Sequence, residues 1–336
     1  MENTEHRIDA PFHAGEQRLQ ERLGMREKMA AIGKRVIRPY MPEQHRTFYG
    51  QLPFLVAGGI DELGWPWASV VSGQPGFAHS PTSTQLHLSS QAIQRLVDRK
   101  DPLTRTLTQP NSPIALLGIE LNTRRRNRLN GRIATHSDGS ATLEVDQAFG
   151  NCPKYIHTRE LQFDNSTIAS QAPNRPTEIT TLDFAAQAFI QTADTFFVAS
   201  STTVDAKMPQ ANQGVDVSHR GGKPGFVKIE GNTLTIPDFA GNFHFNTLGN
   251  FLLNPKAGLV FPNFVTGDLL MLTGRVELLT EDDSTIRDFK GADRGWRFCL
   301  EKGLKMPRAL GFSAKLVQTS PTTKTTGDWP SNIAIP

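Results

Sequence analysis

The sequence predicts a mainly β (β+α) protein made of two similar β units with peripheral helices, and three observations carry that expectation. Residues 214–278 alternate apolar runs of four to eight residues (225–229, 233–236, 258–261, 268–272 and 275–279) with Gly, Pro and Asn. That is the pattern of consecutive antiparallel strands in a meander or small barrel. An earlier stretch, from Phe48 onward, repeats pieces of the same pattern in the same order. Helical spacing of apolar residues is confined to a few short segments.

In chain order, residues 13–37 place Leu19, Leu23, Met25, Met29, Ile32 and Val36 at near-helical spacing. One or two helices interrupted near Gly24 are expected, and Pro39 and Pro42 end them. This N-terminal arm (1–43) is expected to pack on the unit that follows it. The first unit spans 44–163, and 164–181, rich in Asn, Ser and Pro in its first part, reads as a linker. Residues 182–195 are helical by spacing and open the second unit, 182–317. Within it, 243–254 space Phe243, Thr247, Leu248, Phe251 and Leu252 three to four apart, a short amphipathic helix stopped by Pro255. The stretch 287–300 is mixed. The tail, 318–336, is rich in Thr, Ser and Pro and is expected to be disordered unless it docks.

Four pairs of segments relate the units. Phe54-Leu-Val-Ala matches Phe196-Phe-Val-Ala at an offset of 142, and Gln74-Pro-Gly-Phe matches Lys223-Pro-Gly-Phe at 149. Pro113-Ile-Ala-Leu-Leu-Gly matches Pro255-Lys-Ala-Gly-Leu-Val at 142, and Leu129-Asn-Gly-Arg-Ile matches Leu272-Thr-Gly-Arg-Val at 143. Offsets that change and return while the order holds are expected of a diverged duplication with compensating loop lengths.

A chain of 336 residues suffices for two domains with separate cores. With 38% hydrophobic and 21% charged residues and a mean hydropathy of -0.37, it reads as a soluble globular protein. No run approaches the ~18 apolar residues of a transmembrane helix, and the N-terminus lacks a basic stretch before an apolar one. No membrane partner and a cytoplasmic location are therefore expected. Cys152 and Cys299 are too few for a disulfide framework or a structural zinc site, so buried, reduced thiols and no metal are expected. A net charge of +3 and a pI of 8.9 fall short of a nucleic-acid footprint. The chain has no GxGxxG after a strand, GxxxxGKS, HExxH or GxSxG, so dinucleotide, P-loop, zincin and hydrolase chemistries lose support.

The order of elements in the second unit is more specific. Strand, Gly-rich turn and strand pair lead to a short helix that opens after Asp238-Phe-Ala-Gly-Asn and closes with Asn254-Pro-Lys-Ala-Gly-Leu-Val-Phe; a hairpin ending in Gly274-Arg-Val-Glu-Leu follows. Over roughly residues 195–279, and more weakly in the earlier stretch, this resembles the pyridoxamine 5′-phosphate oxidase-like FMN-binding split barrels. The resemblance implies two fused split β-barrels with FMN held non-covalently in the groove between them. It also implies a flavin-dependent oxidoreductase that passes hydride between NAD(P)H or a small organic substrate and the flavin, with a homodimer possible.

On that resemblance, Val217-Ser-His-Arg-Gly-Gly is a flavin-facing turn in which Ser218, His219 and Arg220 offer donors and Gly221 allows close approach. His219 is also the weak candidate for a proton donor. Residues 238–250 correspond to the phosphate loop running into its helix, with backbone N–H groups and Asn242, Asn246, Thr247 and Asn250 as ligands. Relatives carry Arg or Lys near the Asn242 position, whereas this chain has neither between Lys228 and Lys256; Lys228 and Arg220 are expected to supply the charge. Asn151, Lys154 and Tyr155 are expected to contact the cofactor or seal the groove, with Cys152 a structural thiol. Arg124-Arg-Arg-Asn-Arg is expected in a solvated hairpin turn, and Trp65 and Trp67 in strand-edge packing. Rival readings are a non-catalytic flavin carrier, a haem-binding barrel using His219, His244 or His79, and a structural protein without cofactor.

Overall fold

The computed structural model describes residues 11–135, 138–163, 175–202, 212–280, 282–287 and 289–329. It is mainly β, with antiparallel sheets and short helices around them. The first unit contributes β1 (Phe54–Ile60), β2 (Pro66–Ser72), β3 (Ala78–Thr82), β4 (Gln85–Leu88), β5 (Pro113–Glu120), β6 (Arg125–Thr135) and β7 (Ala141–Gly150) to one sheet of order β2-β1-β5-β6-β7-β4-β3. Short strands β8 (Thr158–Gln162) and β9 (Thr177–Ile179) follow.

The second unit contributes β10 (Thr195–Ser201), β11 (Val215–Gly221), β12 (Lys228–Glu230), β13 (Thr233–Phe239), β14 (Lys256–Pro262), β15 (Leu269–Leu279) and β16 (Ala292–Met306), in the order β11-β10-β14-β15-β16-β13-β12. The two orders are identical position for position. Neither is a meander, because β1 and β10 each lie between a near neighbour in sequence and a distant one. The runs 268–272 and 275–279 form one strand, β15, that bends at Gly274, and the mixed stretch 287–300 enters β16.

Two features fix the correspondence between units. At Gly73 and Gly222 a Cβ would overlap Phe77 and Phe226, and the glycines that follow, Gly76 and Gly225, take φ of +95 and +85. At Asn130/Gly131 and Thr273/Gly274 the strands bulge, and a Cβ on either glycine would overlap the carbonyl of Glu144 or Cys299. These set offsets of 149 and 143. The ladders then carry the alignment to the other strands. Gly73 N donates to Pro53 O as Gly222 N does to Asp194 O, which places Phe54 against Thr195, an offset of 141. Leu116 pairs with Leu129 as Leu259 does with Leu272, an offset of 143. The two apolar matches at 142 are each one residue out, and in a strand one residue is a change of face.

The sheets pack face to face, and reciprocally. β2 lies on β14 and β10, β11 lies on β5 and β1, and β1 meets β10. Gly58 and Ala199, aligned at 141, meet: a Cβ on Gly58 would lie 3.1 Å from that of Ala199. Phe197, Ala199, Val217, Val260 and Met271 therefore join the core of the first unit, while Phe196, Val198, Leu259, Phe261 and Leu272 fill that of the second. Gly258 lies so close to the Pro66 carbonyl that a Cβ there would overlap it.

Helices cover the edges. α1 (Ala14–Arg22), α2 (Arg26–Val36) and α3 (Glu43–Gln51) precede β1; α4 (Ser90–Asp98) and α5 (Thr104–Thr108) lie between β4 and β5. α6 (Phe184–Thr192) opens the second unit, α7 (Asn246–Leu253) joins β13 to β14, and α8 (Ser284–Arg287) precedes β16. The N-terminal arm does not simply pack on the unit that follows it. α1 lies on α7 of the second unit, where Gly15 meets Gly249 with no room for a side chain. The tail likewise docks: β17 (Ser313–Gln318) pairs with β8, Ser320 and Thr323 are buried, and Trp329 Nε1 donates to Phe226 O at 2.8 Å. Residues 164–174 of the linker and 330–336 of the tail lie outside the described residues. No helix among the described residues is long and apolar enough to cross a membrane.

Gly258→Ala is expected to lower stability by roughly 1–3 kcal/mol, since the new methyl group meets backbone rather than a movable side chain. Gly50→Ala, in α3 with nothing within 4 Å, is expected to raise it by up to about 1 kcal/mol. Urea unfolding of both variants checks this, and equal stabilities would disprove the tight contact between units.

Candidate functional site

An open cavity of about 930 Å3, mouth included, lies between the units. The first unit supplies Arg126 and Arg128 from β6 and the segment after β7 with Asn151, Cys152, Lys154 and Tyr155. From the second come Ser218, His219, Arg220 and Gly221 on β11, Asp238 and Phe239 at the end of β13, the loop to α7 with Asn242, Asn246 and Thr247, and Arg294 on β16.

The structure thus brings together ten of the twelve residues singled out in the sequence. Lys228 and Asn250 are the exceptions. Lys228, on β12, pairs with Glu230 at 2.9 Å and does not line the cavity. Asn250 is buried one turn behind, donating to Ser200 Oγ at 2.9 Å. The Val217–Gly222 stretch is not a turn, since its residues through Gly221 belong to β11. Gly221 meets the carbonyl of Tyr155 so closely that a Cβ would overlap it.

The cations missing near Asn242 come from the other unit. Arg124, at φ +63, ends the hairpin, and β6 begins at Arg125. Period-2 alternation then sends Arg125 outward over Phe48 and turns Arg126 and Arg128 into the cavity. The basic run is therefore not a solvated turn, and the spacing R-x-R on a strand was the signal for it. Arg294 and Asp238 carried no comparable signal.

Arg128, 4% exposed, donates to Asp216 Oδ1 at 3.0 Å, to Asn246 Oδ1 at 2.6 Å and to Ser218 Oγ. Asp238 pairs with Arg220 and, at 3.8 Å, with Arg294. Arg126 has no carboxylate partner among the described residues; its Nε donates to Cys152 O at 2.7 Å. Burial, eased by nearby Cys152, lowers its pKa to about 10. Four arginines and Lys154 thus stand against two carboxylates, Asp216 and Asp238. A half-buried cation without a counter-charge is costly, and an anionic ligand relieves that cost.

Two further features suit an anion beside a flat ring. α7 starts at Phe245 with no side-chain cap, and its first-turn residues line the cavity, leaving N–H groups for a ligand. Tyr155, Phe243 and Phe245 take φ of +65, +61 and +60. Bulky residues rarely adopt that region, and such strain collects at ligand sites.

His219 is 7% exposed, and among the described residues neither of its ring nitrogens has a partner. Burial first, then Arg126, pushes its pKa well below the usual value, so it stands neutral with one donor and one acceptor nitrogen. His244 lies outside the lining, between Phe12 and Phe149 at ring distances of 5.3 and 5.7 Å. His79, on β3, stacks with His87. The thiols are not both buried: Cys152 is half-buried in the cavity wall and Cys299 is exposed. Trp67 is core, and its Nε1 donates to Asp61 at 3.0 Å. Among the described residues no cluster of three or more His, Cys, Asp or Glu could hold a metal.

The matching position on the other side of the reciprocal packing differs. The offset of 143 replaces Arg126 and Arg128 by Leu269 and Met271, both buried, and 149 replaces His219 and Arg220 by Val70 and Val71. The nearby Arg99 is satisfied internally by Asp101 at 2.7 Å and Ala309 O at 2.6 Å.

No family model matches the chain, and no curated protein does. Among solved structures, one provisionally described as a pyridoxamine 5′-phosphate oxidase from Lactobacillus delbrueckii is similar over 33% of this chain and 94% of its own, at 12% identity and a TM-score of 0.25. A protein described as FAD-binding from Mesorhizobium loti is similar over 39% and 97%, at 12% identity and 0.26. The MrkH–c-di-GMP complex of K. pneumonia is similar over 76% and 78%, at 8% identity and 0.19. At such scores the likeness carries no weight for fold or function.

Burial, with Arg128 beside it, lowers the His244 pKa from 6.5 to about 4. The unfolded state therefore takes up a proton first as pH falls, so stability drops between about pH 6.5 and 4, by roughly 3 kcal/mol from this residue. Above 6.5 the residue contributes no pH dependence. His244→Phe is expected to flatten that limb in urea unfolding at pH 7, 5 and 4; an unchanged acid limb would refute the assignment.

Proposed function

We propose that the protein binds FMN non-covalently between its units and serves as a flavin-dependent oxidoreductase, a fused pair of split barrels of the pyridoxamine 5′-phosphate oxidase-like kind. The observation that carries the reading is Arg126, a cation without a carboxylate partner among the described residues, in a cavity that also holds an uncapped helix start and aromatic residues with left-handed backbone. The shared strand order and paired bulges support descent of residues 44–163 and 182–317 from one unit.

The residues present fit the group. FMN offers acceptors on its phosphate and along its pyrimidine edge, and this wall is rich in donors. Arg128 Nε, Arg220 Nε, Asn151 Nδ2 and both nitrogens of His219 are buried without partners. Asn246, Thr247 and the N–H groups of α7, backed by Arg128, would hold the phosphate. Tyr155 and Phe239, their rings 5.1 Å apart, would bound the ring system. FMN would supply hydride and single-electron transfer, and a cation beside its pyrimidine edge favours the reduced form. Arg126 and Arg220 are the candidates for that cation. His219, neutral and unpartnered, is the group placed to hold or give a proton to a small organic substrate, with NAD(P)H as the other candidate reductant. Both walls of the cavity are drawn from one chain.

An ultraviolet–visible spectrum of the purified protein, followed by heat release of any chromophore, tests this. Bands near ~375 and ~450 nm with FMN released at one per chain are expected, because the matching position carries Leu269 and Met271. A Soret band would instead favour haem on His219, and a colourless protein indifferent to added FMN would end the flavin reading. Arg126→Gln is expected to weaken FMN binding at least tenfold, about 1.4 kcal/mol, while Lys228→Ala leaves it unchanged. Isothermal titration of the two variants decides between these cations.

A further inference from the structure

We infer that the N-terminal helix α1, through Glu16 and Gln20, positions the loop entering α7 and the guanidinium of Arg128, and so sets how tightly the cavity holds an anion; the last clause rests on the anion-binding reading above.

The loop between β13 and α7 needs outside support. Phe243 and Phe245 both sit in the left-handed region, which bulky side chains avoid. Within the loop, the side-chain bond from His244 N to Asn242 Oδ1 is local and spans two residues. From the first unit, Tyr155 Oη donates to Ala240 O at 3.3 Å and Phe149 packs on His244, and the N-terminal arm adds to this. Gln20 Nε2 donates to Phe243 O at 3.3 Å, Phe12 meets the His244 ring edge-on, and the Gly15–Gly249 contact lets the two helices touch along their backbones.

Glu16 reaches furthest. Its carboxylate, 2% exposed, accepts from His13 N at 2.9 Å, closing a capping box on α1, and also from Asn246 Nδ2. Asn246 Oδ1 in turn accepts from Arg128 Nη1 at 2.6 Å, and Arg128 Nη2 donates to Ser218 Oγ. The Arg128 guanidinium can only donate, so Asn246 turns its Oδ1 to Arg128 and its Nδ2 to Glu16, whose Oε1 accepts. Glu16 thereby fixes the amide, the amide fixes Arg128, and Arg128 faces the cavity. Without Glu16 the amide can turn over, and Arg128 is left to Asp216 and Ser218.

The arm is also anchored independently. Gln147 Nε2 donates to Pro11 O and Asn212 Nδ2 to Phe12 O, each at 3.3 Å, and Phe12, Met29 and Ile37 pack around Phe149 of the first unit. α1 is therefore a strut between the first unit and α7.

The test uses the full chain carrying Glu16→Ala with Gln20→Ala, the milder Glu16→Gln, and Arg18→Ala on the exposed side of α1 as control. Two readouts are taken: amide hydrogen exchange of residues 241–253 in ligand-free protein, and Kd for FMN and for inorganic phosphate. Exchange at least tenfold faster in 241–253, with β1 and β5 unchanged and both Kd values raised at least tenfold, is expected for the double variant. Glu16→Gln should show the same changes in smaller degree, and Arg18→Ala neither. Unchanged exchange overturns the inference, as does faster exchange with unchanged Kd. If the double variant fails to fold, Glu16→Gln is read by the same criteria. Wild-type protein that binds neither probe would sink the anion-binding reading, and the exchange result would still decide whether α1 positions the loop.

Discussion

The close face-to-face contact between the two sheets is the constraint on which the rest depends. Gly58 against Ala199, and Gly258 against Pro66, remove the side chains that would hold the sheets apart. Only at that separation can β6 of one unit present Arg126 and Arg128 to β11 and α7 of the other. The apolar residues on the shared face belong to the core, so the geometry of the cavity inherits the rigidity of close packing.

The electrostatics of the cavity follow from its position at that seam. Asp216 and Asp238 offset part of the arginine charge, each from within a strand, and Glu16 adds a third buried carboxyl group from the arm. Burial, reinforced by Asp216, raises the pKa of Glu16 well above the carboxylate range. Removing one partner from such a network costs more than the pair contributes, because the other group stays buried. Arg126 is the member left without a carboxylate, which makes it the point where a ligand has most to contribute.

Much of this was legible in the sequence, and the misses have physical causes. Apolar runs and Gly punctuation located most strands of the second unit, and the repeated Pro-Gly-Phe and Gly-Arg segments located the turn and bulge that both units share. Two apolar matches were misplaced by one residue because Phe, Leu, Val and Ala at neighbouring positions score alike in either register; the ladder, not the residue type, decides the face. Ten of the expected residues share the cavity because they lie in short contiguous motifs. Arg126 and Arg128 were missed because a run of arginines suggests solvent unless its strand alternation is considered. Glu16 was missed because its link to Asn246 spans 230 positions and leaves no local pattern.

The covalent connection between the units has a consequence in mass action. A groove formed by two separate chains is populated only as far as those chains associate, and it empties on dilution. Here the second half of the groove arrives at the effective concentration set by its tether, and that does not change with the amount of protein in solution. Units carried on one chain are also free of the demand for symmetry. A self-association of identical chains must place the same residues at both equivalent positions, whereas this chain holds cations at one and Leu269 and Met271 at the other. The second position is thereby free to evolve as packing, under the volume constraints of a core alone.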